Sequence, residues 1–197
     1  NAMALAVRPE SPIKTVSDLV KAAKEKPGAL NYGHQGPLTI PHLAMEEFLN
    51  YAGIDIKDIP FRGEPLVMTD LLGGRIDVAS IVLGTAQGQN VRVLGVFAET
   101  RHPAFKDVPT FKEQGFDVSP ASFGGLMAPA GTFAPVVARL SAACEGAARD
   151  DAYKQTAERA AQPPDYYADA ALFRQRLQRD IERKTVVLSR LKTPAPQ

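Results

Sequence analysis

The segment from Ile76 to Leu83 constrains the fold most strongly, because it is apolar apart from Asp77 and Ser80. A β-strand this apolar has to be covered on both faces, as happens when a parallel sheet lies between layers of helices. Other short apolar segments precede and follow it, and amphipathic helical patterns separate them. The alternation predicts an α/β fold built on a parallel sheet.

Local signals place the ends of several predicted elements. Thr15 followed by Asp18 is typical of a capping box at the start of a helix, and Pro27 ends that helix. Gly53 is suited to the position just after a helix. The predicted strands cover 5–7, 29–32, 56–61, 76–83 and 91–97, and the helices between them cover 15–26, 38–51 and 64–72.

The second half of the chain has a different pattern. The segment 101–117 contains Pro103, Pro109 and Gly115, which predict a connection with one short helix over 110–114. A strand is predicted over 122–128. The rest is predicted to be helical, over 133–149, 150–160 and 165–191, with Asp165 as the cap of the last helix.

Composition excludes several classes of function. There are 23 Lys and Arg residues against 22 Asp and Glu residues, a balance that nucleic-acid binding domains do not show. The single cysteine, Cys144, forms no internal disulfide, and its small neighbours predict a buried helix position. We interpret the first three residues as a protease-cleavage scar followed by a start methionine, and leave them out of the predicted fold.

The sequence predicts neither an enzyme nor a metal site. It contains no nucleophile elbow, Walker loop, dinucleotide fingerprint or paired carboxylates. His34 and His42 lie eight residues apart with no third ligand at metal spacing, so we expect no metal and no other cofactor. His102, in a proline-rich connection, is expected at the surface.

Four stretches of sequence resemble a known family, the substrate-binding proteins of tripartite tricarboxylate transporters, also called the Bug family. They occur in the family's order and span nearly the whole chain. The stretches are KPGALNY with PHLA at 26–44, PFRG with TDLLGGRIDV at 60–78, VRVLGV with RHP, DVPT and EQG at 91–115, and GLMAPAGT at 125–132.

The resemblance implies a periplasmic binding protein-like fold of type II, with a ligand cleft between two α/β lobes. Ala4 to Asp117 would form the complete second lobe, and 118–197 the C-terminal part of the first. The family's chains begin earlier, and roughly 100 residues, the size of a small domain, have no counterpart here. The resemblance also implies a periplasmic protein that passes a small carboxylate to the membrane subunits of a transporter.

The strand-to-helix loop 33–39 is the candidate ligand site. Its position predicts free backbone N–H groups at a helix N-terminus, and the resemblance places the family's ligand against this loop. Ser80 is a further candidate, because it approaches the C-terminal end of a central strand. The predicted ligand-binding residues are Gly33, His34, Gln35, Gly36, Thr39 and Ser80.

The chain departs from the family pattern inside this loop. The family usually has a small hydroxyl residue at the position of His34, a polar residue at Pro37 and a glycine at Leu38. Pro37 removes one N–H donor, and Leu38 adds a side chain where the backbone should approach the ligand. The loop is therefore also consistent with a plain strand-to-helix connection, in a truncated homologue that has lost ligand binding.

Two further alternatives stay open at this point. A cytoplasmic ligand-sensing domain of similar fold would share all these features. The region after Val118 contains one predicted strand and three amphipathic helices, which would leave a sheet edge and an apolar face uncovered. We therefore expect a homodimer built mainly by residues 122–191, or helices that fold back onto the second lobe in a monomer.

Overall fold

The computed structural model describes residues 2–118, 120, 124–159 and 167–190. Five strands and three helices alternate in its first part, and three helices form the rest. The strands are β1 (Met3–Val7), β2 (Asn31–His34), β3 (Lys57–Pro60), β4 (Val78–Val82) and β5 (Arg92–Phe97). The helices are α1 (Val16–Glu25), α2 (Ile40–Ala52), α3 (Glu64–Leu72), α4 (Ala134–Arg149), α5 (Asp151–Arg159) and α6 (Ala170–Arg190).

The sheet is mixed, which corrects the prediction of a parallel sheet. Its strand order is β3-β2-β4-β1-β5. β2 runs parallel to both β3 and β4, whereas β1 runs antiparallel to β4 and β5. The direction of β1 depends on pairing with strands far along the chain, for example Met3 opposite Val82 in β4 and opposite Phe97 in β5. Local periodicity identifies a strand but carries no information about its direction.

Helices cover both faces of the sheet, as the apolar strands require. Alternate residues of β1 point to opposite sides: Leu5 packs in a cluster with residues of α1 and α2, whereas Ala6 packs in a cluster with residues of α3. Met3 is 1% exposed and pairs with Val82 and Phe97, so leaving this residue out of the predicted fold was wrong.

The predicted helix ends are confirmed where side chains or glycines specify them. The Thr15 hydroxyl accepts from the Asp18 N–H, and the Asp18 carboxylate accepts from the Thr15 N–H. Gly53 follows α2 in the left-handed region, with φ 60°. A side chain there would be strained, so glycine ends this helix at low cost.

The second half differs from its prediction in three places. Thr110 forms an isolated bridge with Val96, and residues 111–114 form turns rather than a helix. Residues 124–128 form no strand, with Leu126 and Met127 both 73% exposed; 122 and 123 lie outside the described residues. Asp165 also lies outside them. The carboxylate of Asp169 accepts from the Leu172 N–H and so caps α6.

The chain divides into two compact units, Asn1–Ser122 with Val187–Gln197, and Phe123–Val186. Val118 is fully buried in the core of the first unit, and Phe116 packs against the same core. Cys144 is half-buried on α4, a helix without fully buried residues, rather than buried as expected. No helix in the described ranges is both long and apolar enough to cross a membrane.

Candidate ligand-binding edge

The parallel strands β2, β3 and β4 end at one edge of the sheet, where open α/β folds bind ligands. Three connections leave this edge: the loop 35–39 after β2, the segment 61–63 after β3 and a single 3₁₀ turn over Leu83–Ala86 after β4. The Phe61 N–H donates to the carbonyl of His34, which joins the first two connections.

The loop 35–39 has an exposed part and a buried base. Gln35, Gly36 and Thr39 are partly exposed, whereas Gly33 and His34 are buried in β2. A side chain at position 33 would lie 2.6 Å from Ile76 Cδ1, so Gly33 is needed for packing. Of the predicted ligand residues in this loop, only 35, 36 and 39 therefore lie where a solute has access.

The N-terminus of α2 has no cap. The Thr39 hydroxyl donates to the Gly36 carbonyl at 2.7 Å instead of accepting from the helix, and Pro41 has no N–H. Among the described residues we find no acceptor for the backbone N–H groups of Ile40 and His42. No acidic residue lies in the first turn, in contrast to Asp18 in α1.

Ser80 is not part of this exposed edge. Its side chain is fully buried, and its hydroxyl donates to the carbonyl of Pro41 at 2.6 Å. The hydroxyl ties β4 to the first turn of α2 and does not face solvent. Ser80 is the central residue of β4 rather than a residue near its C-terminal end, and the alternation of side chains along β4 directs it under the helix.

A cluster of polar side chains lies beneath the loop. His34 Nε2 lies 2.5 Å from Asp58 Oδ1, and the ring of His34 stacks on that of His42 with centroids 4.4 Å apart. The Tyr32 hydroxyl donates to Glu46 at 2.6 Å. His42 Nε2 lies 4.0 Å from Glu46 and 3.9 Å from Asp58. Sequence analysis did not single out Asp58 or Glu46.

Asp58 supplies a third possible metal ligand, which the spacing of the two histidines in the sequence did not reveal. His34, His42 and Asp58 each offer one atom, and the three atoms lie within 4.8 Å of one another. However, His42 Nδ1 accepts from the Leu38 N–H at 3.0 Å, so neutral His42 carries its proton on Nε2. A metal needs the lone pair of that same Nε2. The arrangement is that of a hydrogen-bonded cluster.

Burial shifts the pKa values within this cluster. Burial, together with the nearby His34, lowers the pKa of His42, although Asp58 acts in the opposite direction. Burial raises the pKa of Glu46 against the effect of the Tyr32 hydrogen bond. Burial alone would raise the pKa of Asp58, but the His34 hydrogen bond and the two imidazoles lower it overall.

Three other polar residues have defined positions in the structure. Arg62, which follows β3, is exposed. Asp77 pairs locally: its carboxylate accepts from the Asn31 N–H, and its own N–H donates to the Asn31 side chain. His102 is only 6% exposed and caps a 3₁₀ turn by accepting from the Ala104 N–H, so its predicted surface position was wrong.

The backbone of Leu38 is strained, as expected for a position where the family usually has glycine. Among the described residues it is the only non-glycine residue with positive φ, at 59°, and its side chain is 57% exposed. We expect Leu38→Gly to raise the free energy of unfolding by about 0.5–1 kcal/mol, because the left-handed region costs a leucine more than a glycine. Urea denaturation measures the change.

Leu66 provides a matched control. It is similarly exposed, at 50%, but lies inside α3. Leu66→Gly should lower the free energy of unfolding by about 1 kcal/mol, since glycine destabilises a helix interior. Equal destabilisation by both substitutions would contradict strain at Leu38.

The lowered pKa of His42 makes stability depend on pH. Between the folded pKa and the ordinary value of 6.5, the unfolded chain binds more protons than the folded chain. The free energy of unfolding should therefore fall as pH decreases below about 6.5. Urea denaturation at several pH values from about 5.5 to 7.5 measures this, a range in which histidines change charge.

His42→Gln tests the assignment, since glutamine can still accept from the Leu38 N–H but does not titrate. The variant should lose part of the pH dependence. The raised pKa of Glu46 acts with the opposite sign, because protonation of Glu46 favours the folded state as pH falls. An unchanged pH slope in His42→Gln would rule out His42 as the cause.

The fold is that of a class of periplasmic solute-binding proteins. A family model described as "Tripartite tricarboxylate transporter family receptor" matches residues 1–192. The chain therefore belongs to this family, which confirms the resemblance found in its sequence. A curated relative, the "UPF0065 protein in gbd 5'region" of Cupriavidus necator, is 32% identical over 191 residues, covering 95% of this chain and 58% of the relative.

Solved structures agree with this assignment. A TctC solute-binding protein from Polaromonas is 26% identical with a TM-score of 0.86, over 97% of this chain and 67% of its own. The R. palustris protein Rpa4515, solved with adipate, is 24% identical with a TM-score of 0.80, over 95% of this chain and 64% of its own. The type II periplasmic binding protein-like fold is confirmed. The chain spans about three-fifths of the length of that curated relative.

Proposed function

We propose that the protein binds a small carboxylate at the N-terminus of α2 and serves as a receptor for a tripartite transporter. The observation that carries the proposal is the uncapped start of α2, with the N–H groups of Ile40 and His42 unpaired at the ligand-binding edge. A carboxylate there would accept these hydrogen bonds and interact favourably with the helix dipole.

The relatives support this choice of solute class. The family is one of tricarboxylate transporter receptors, and Rpa4515 was solved with a dicarboxylate. The partly exposed residues that would contact the carboxylate are Gln35, Gly36 and Thr39, together with the first turn of α2. The same family membership supports the proposal of delivery to membrane subunits and of a periplasmic location, and catalysis is no part of the proposal.

We expect weak binding by this chain. Solute-binding proteins of this class use two lobes, and a single ligand loop leaves little free energy after the entropic cost of association. Binding of adipate by this chain tighter than about 1 μM would contradict this expectation. A cytoplasmic sensor domain of the same fold would bind the carboxylate in the same way. Export of the protein to the periplasm would distinguish the receptor from such a sensor.

Substitution of Ile40 by proline tests the site directly. Proline is accepted at the first position of a helix, and Thr39 already has the extended conformation that precedes proline, with φ −74° and ψ 162°. The variant keeps the helix but loses the Ile40 N–H. We expect adipate affinity to fall about tenfold or more, the effect of one hydrogen bond to a charged group. Chemical-shift titration by NMR measures the affinity.

Ile40→Ala is the matched control, since it removes the same side chain and keeps the N–H. Its adipate affinity should stay within about twofold of the original, because the N–H donor is retained. If Ile40→Pro is folded and binds adipate as well as Ile40→Ala does, the carboxylate does not bind at the N-terminus of α2.

A further inference from the structure

One loop residue offers His34 two different partners. His34 Nδ1 lies 2.8 Å from the carbonyl oxygen of Gly36 and 3.2 Å from its backbone nitrogen. A ring nitrogen donates when it carries a proton and accepts when it does not. The two contacts therefore belong to different protonation states of His34, and only one of them can be a hydrogen bond at a given time.

The other ring nitrogen determines which state forms each contact. His34 Nε2 lies 2.5 Å from Asp58 Oδ1, and the pKa of Asp58 is lowered by this hydrogen bond, so Nε2 carries a proton facing a carboxylate. In neutral His34, Nδ1 then has a lone pair and accepts from the Gly36 N–H. In charged His34, Nδ1 is protonated and donates to the Gly36 carbonyl.

We propose that protonation of His34 releases the Gly36 N–H to a bound carboxylate, so that His34 couples solute binding to the uptake of a proton. Gly36 is partly exposed, with φ 134°, and lies in the loop just before the uncapped N-terminus of α2. The released donor would add to those of Ile40 and His42. This inference rests on the proposed function and makes His34 a positioning residue for the solute.

The surrounding groups favour the uptake of one proton, by His34 rather than by His42. Asp58 from β3 faces its Nε2, Tyr32 from β2 lies beside its ring at 5.6 Å, and His42 and Glu46 approach from α2. His42 keeps its Nδ1 lone pair for the Leu38 N–H. Because the two imidazole rings are stacked, a charge on one opposes a charge on the other.

The thermodynamic linkage between proton uptake and solute binding gives the expected change in affinity with pH. If solute binding takes up one proton, the affinity for adipate rises by up to about tenfold for each unit of decrease in pH. The bound anion in turn favours the charged imidazole, so adipate should shift the His34 titration toward higher pH.

Two NMR measurements on the full chain test the proposal. The ¹⁵N shifts of the His34 ring report its protonation, and the Gly36 amide proton reports its hydrogen bond, both without ligand. We expect the Gly36 amide shift to follow the His34 titration. Adipate titrations at about pH 6 and pH 8, at constant ionic strength, should then differ in affinity by tenfold or more.

His34→Asn removes the titrating ring, and its adipate affinity should change less than about twofold over the same range, since no proton is taken up. His102→Asn, which changes a histidine outside the loop, should keep the original dependence of adipate affinity on pH.

If this chain binds adipate with the same affinity at both pH values, or if the Gly36 amide does not respond to the protonation of His34, the inference is overturned and the proposed function stands. Failure to bind adipate at any pH would reject the ligand site itself, and proton coupling with it.

Discussion

Replacing Phe111 with alanine should lower the free energy of unfolding by about 3–5 kcal/mol, the range for a fully buried aromatic residue. Phe111 is 0% exposed although it lies in a turn segment after the last strand. Its ring stacks on Phe97 with centroids 4.0 Å apart and meets the edge of Phe48 at 4.9 Å. The substitution leaves a cavity between β5 and α2 that no nearby element can fill.

Phe133→Ala is the control for this prediction. Phe133 is 72% exposed, so the same change should alter the free energy of unfolding by less than about 0.5 kcal/mol. Urea denaturation followed by circular dichroism measures both variants. An effect of Phe111→Ala below about 1.5 kcal/mol would show that the turn segment is not part of the stable core.

The second large effect concerns assembly. Large apolar side chains of the second unit are exposed, among them Val136 at 48% and Leu140 at 45%, which lie one turn apart on the same face of α4. An exposed face of this kind is typically covered by a partner. We expect a second copy of the chain to cover it, so that light scattering after size exclusion gives twice the monomer mass of 21.2 kDa.

Lysines at Val136 and Leu140 together should convert the dimer to a monomer, because two charges cannot be buried in an apolar interface without partners. Leu66→Lys is the matched control, since Leu66 is 50% exposed but lies on α3. A mass of 21.2 kDa for the unaltered chain over a wide concentration range would contradict the dimer.

The same measurement applied to a shortened chain tests the division into lobes. The sequence placed the end of this lobe at Asp117, but Val118 also packs in the core of the first unit. We therefore place the end after Pro120, which is also buried. This shortened chain should be folded and monomeric. If it is unfolded, the first unit depends on the rest of the chain.

Most of the fold was predictable because its signals are local. The apolar segment of β4 identified a strand covered on both faces, and Thr15 with Asp18 marked the start of α1. Gly53 marked the end of α2. The predicted strand over 122–128 was wrong in its described part, because apolar residues such as Leu126 and Met127 form a strand only beside a pairing partner.

The candidate site was only partly predictable. The loop 33–39 could be located from one strand, one helix and the glycines between them. The roles of its residues depended on their neighbours: Ser80 is turned under α2, and His34 is buried against Asp58, a residue 24 positions away on the neighbouring strand. No spacing in the sequence indicated that contact.

The amino-acid order therefore specified the helices, the strands, the family and the position of the loop, because capping, periodicity and glycine conformations act over a few residues. The direction of β1, the state of the helix N-terminus and the cluster of His34, His42 and Asp58 were decided by the tertiary structure. Each of them depends on strand pairing and burial that bring distant residues within hydrogen-bonding or van der Waals distance.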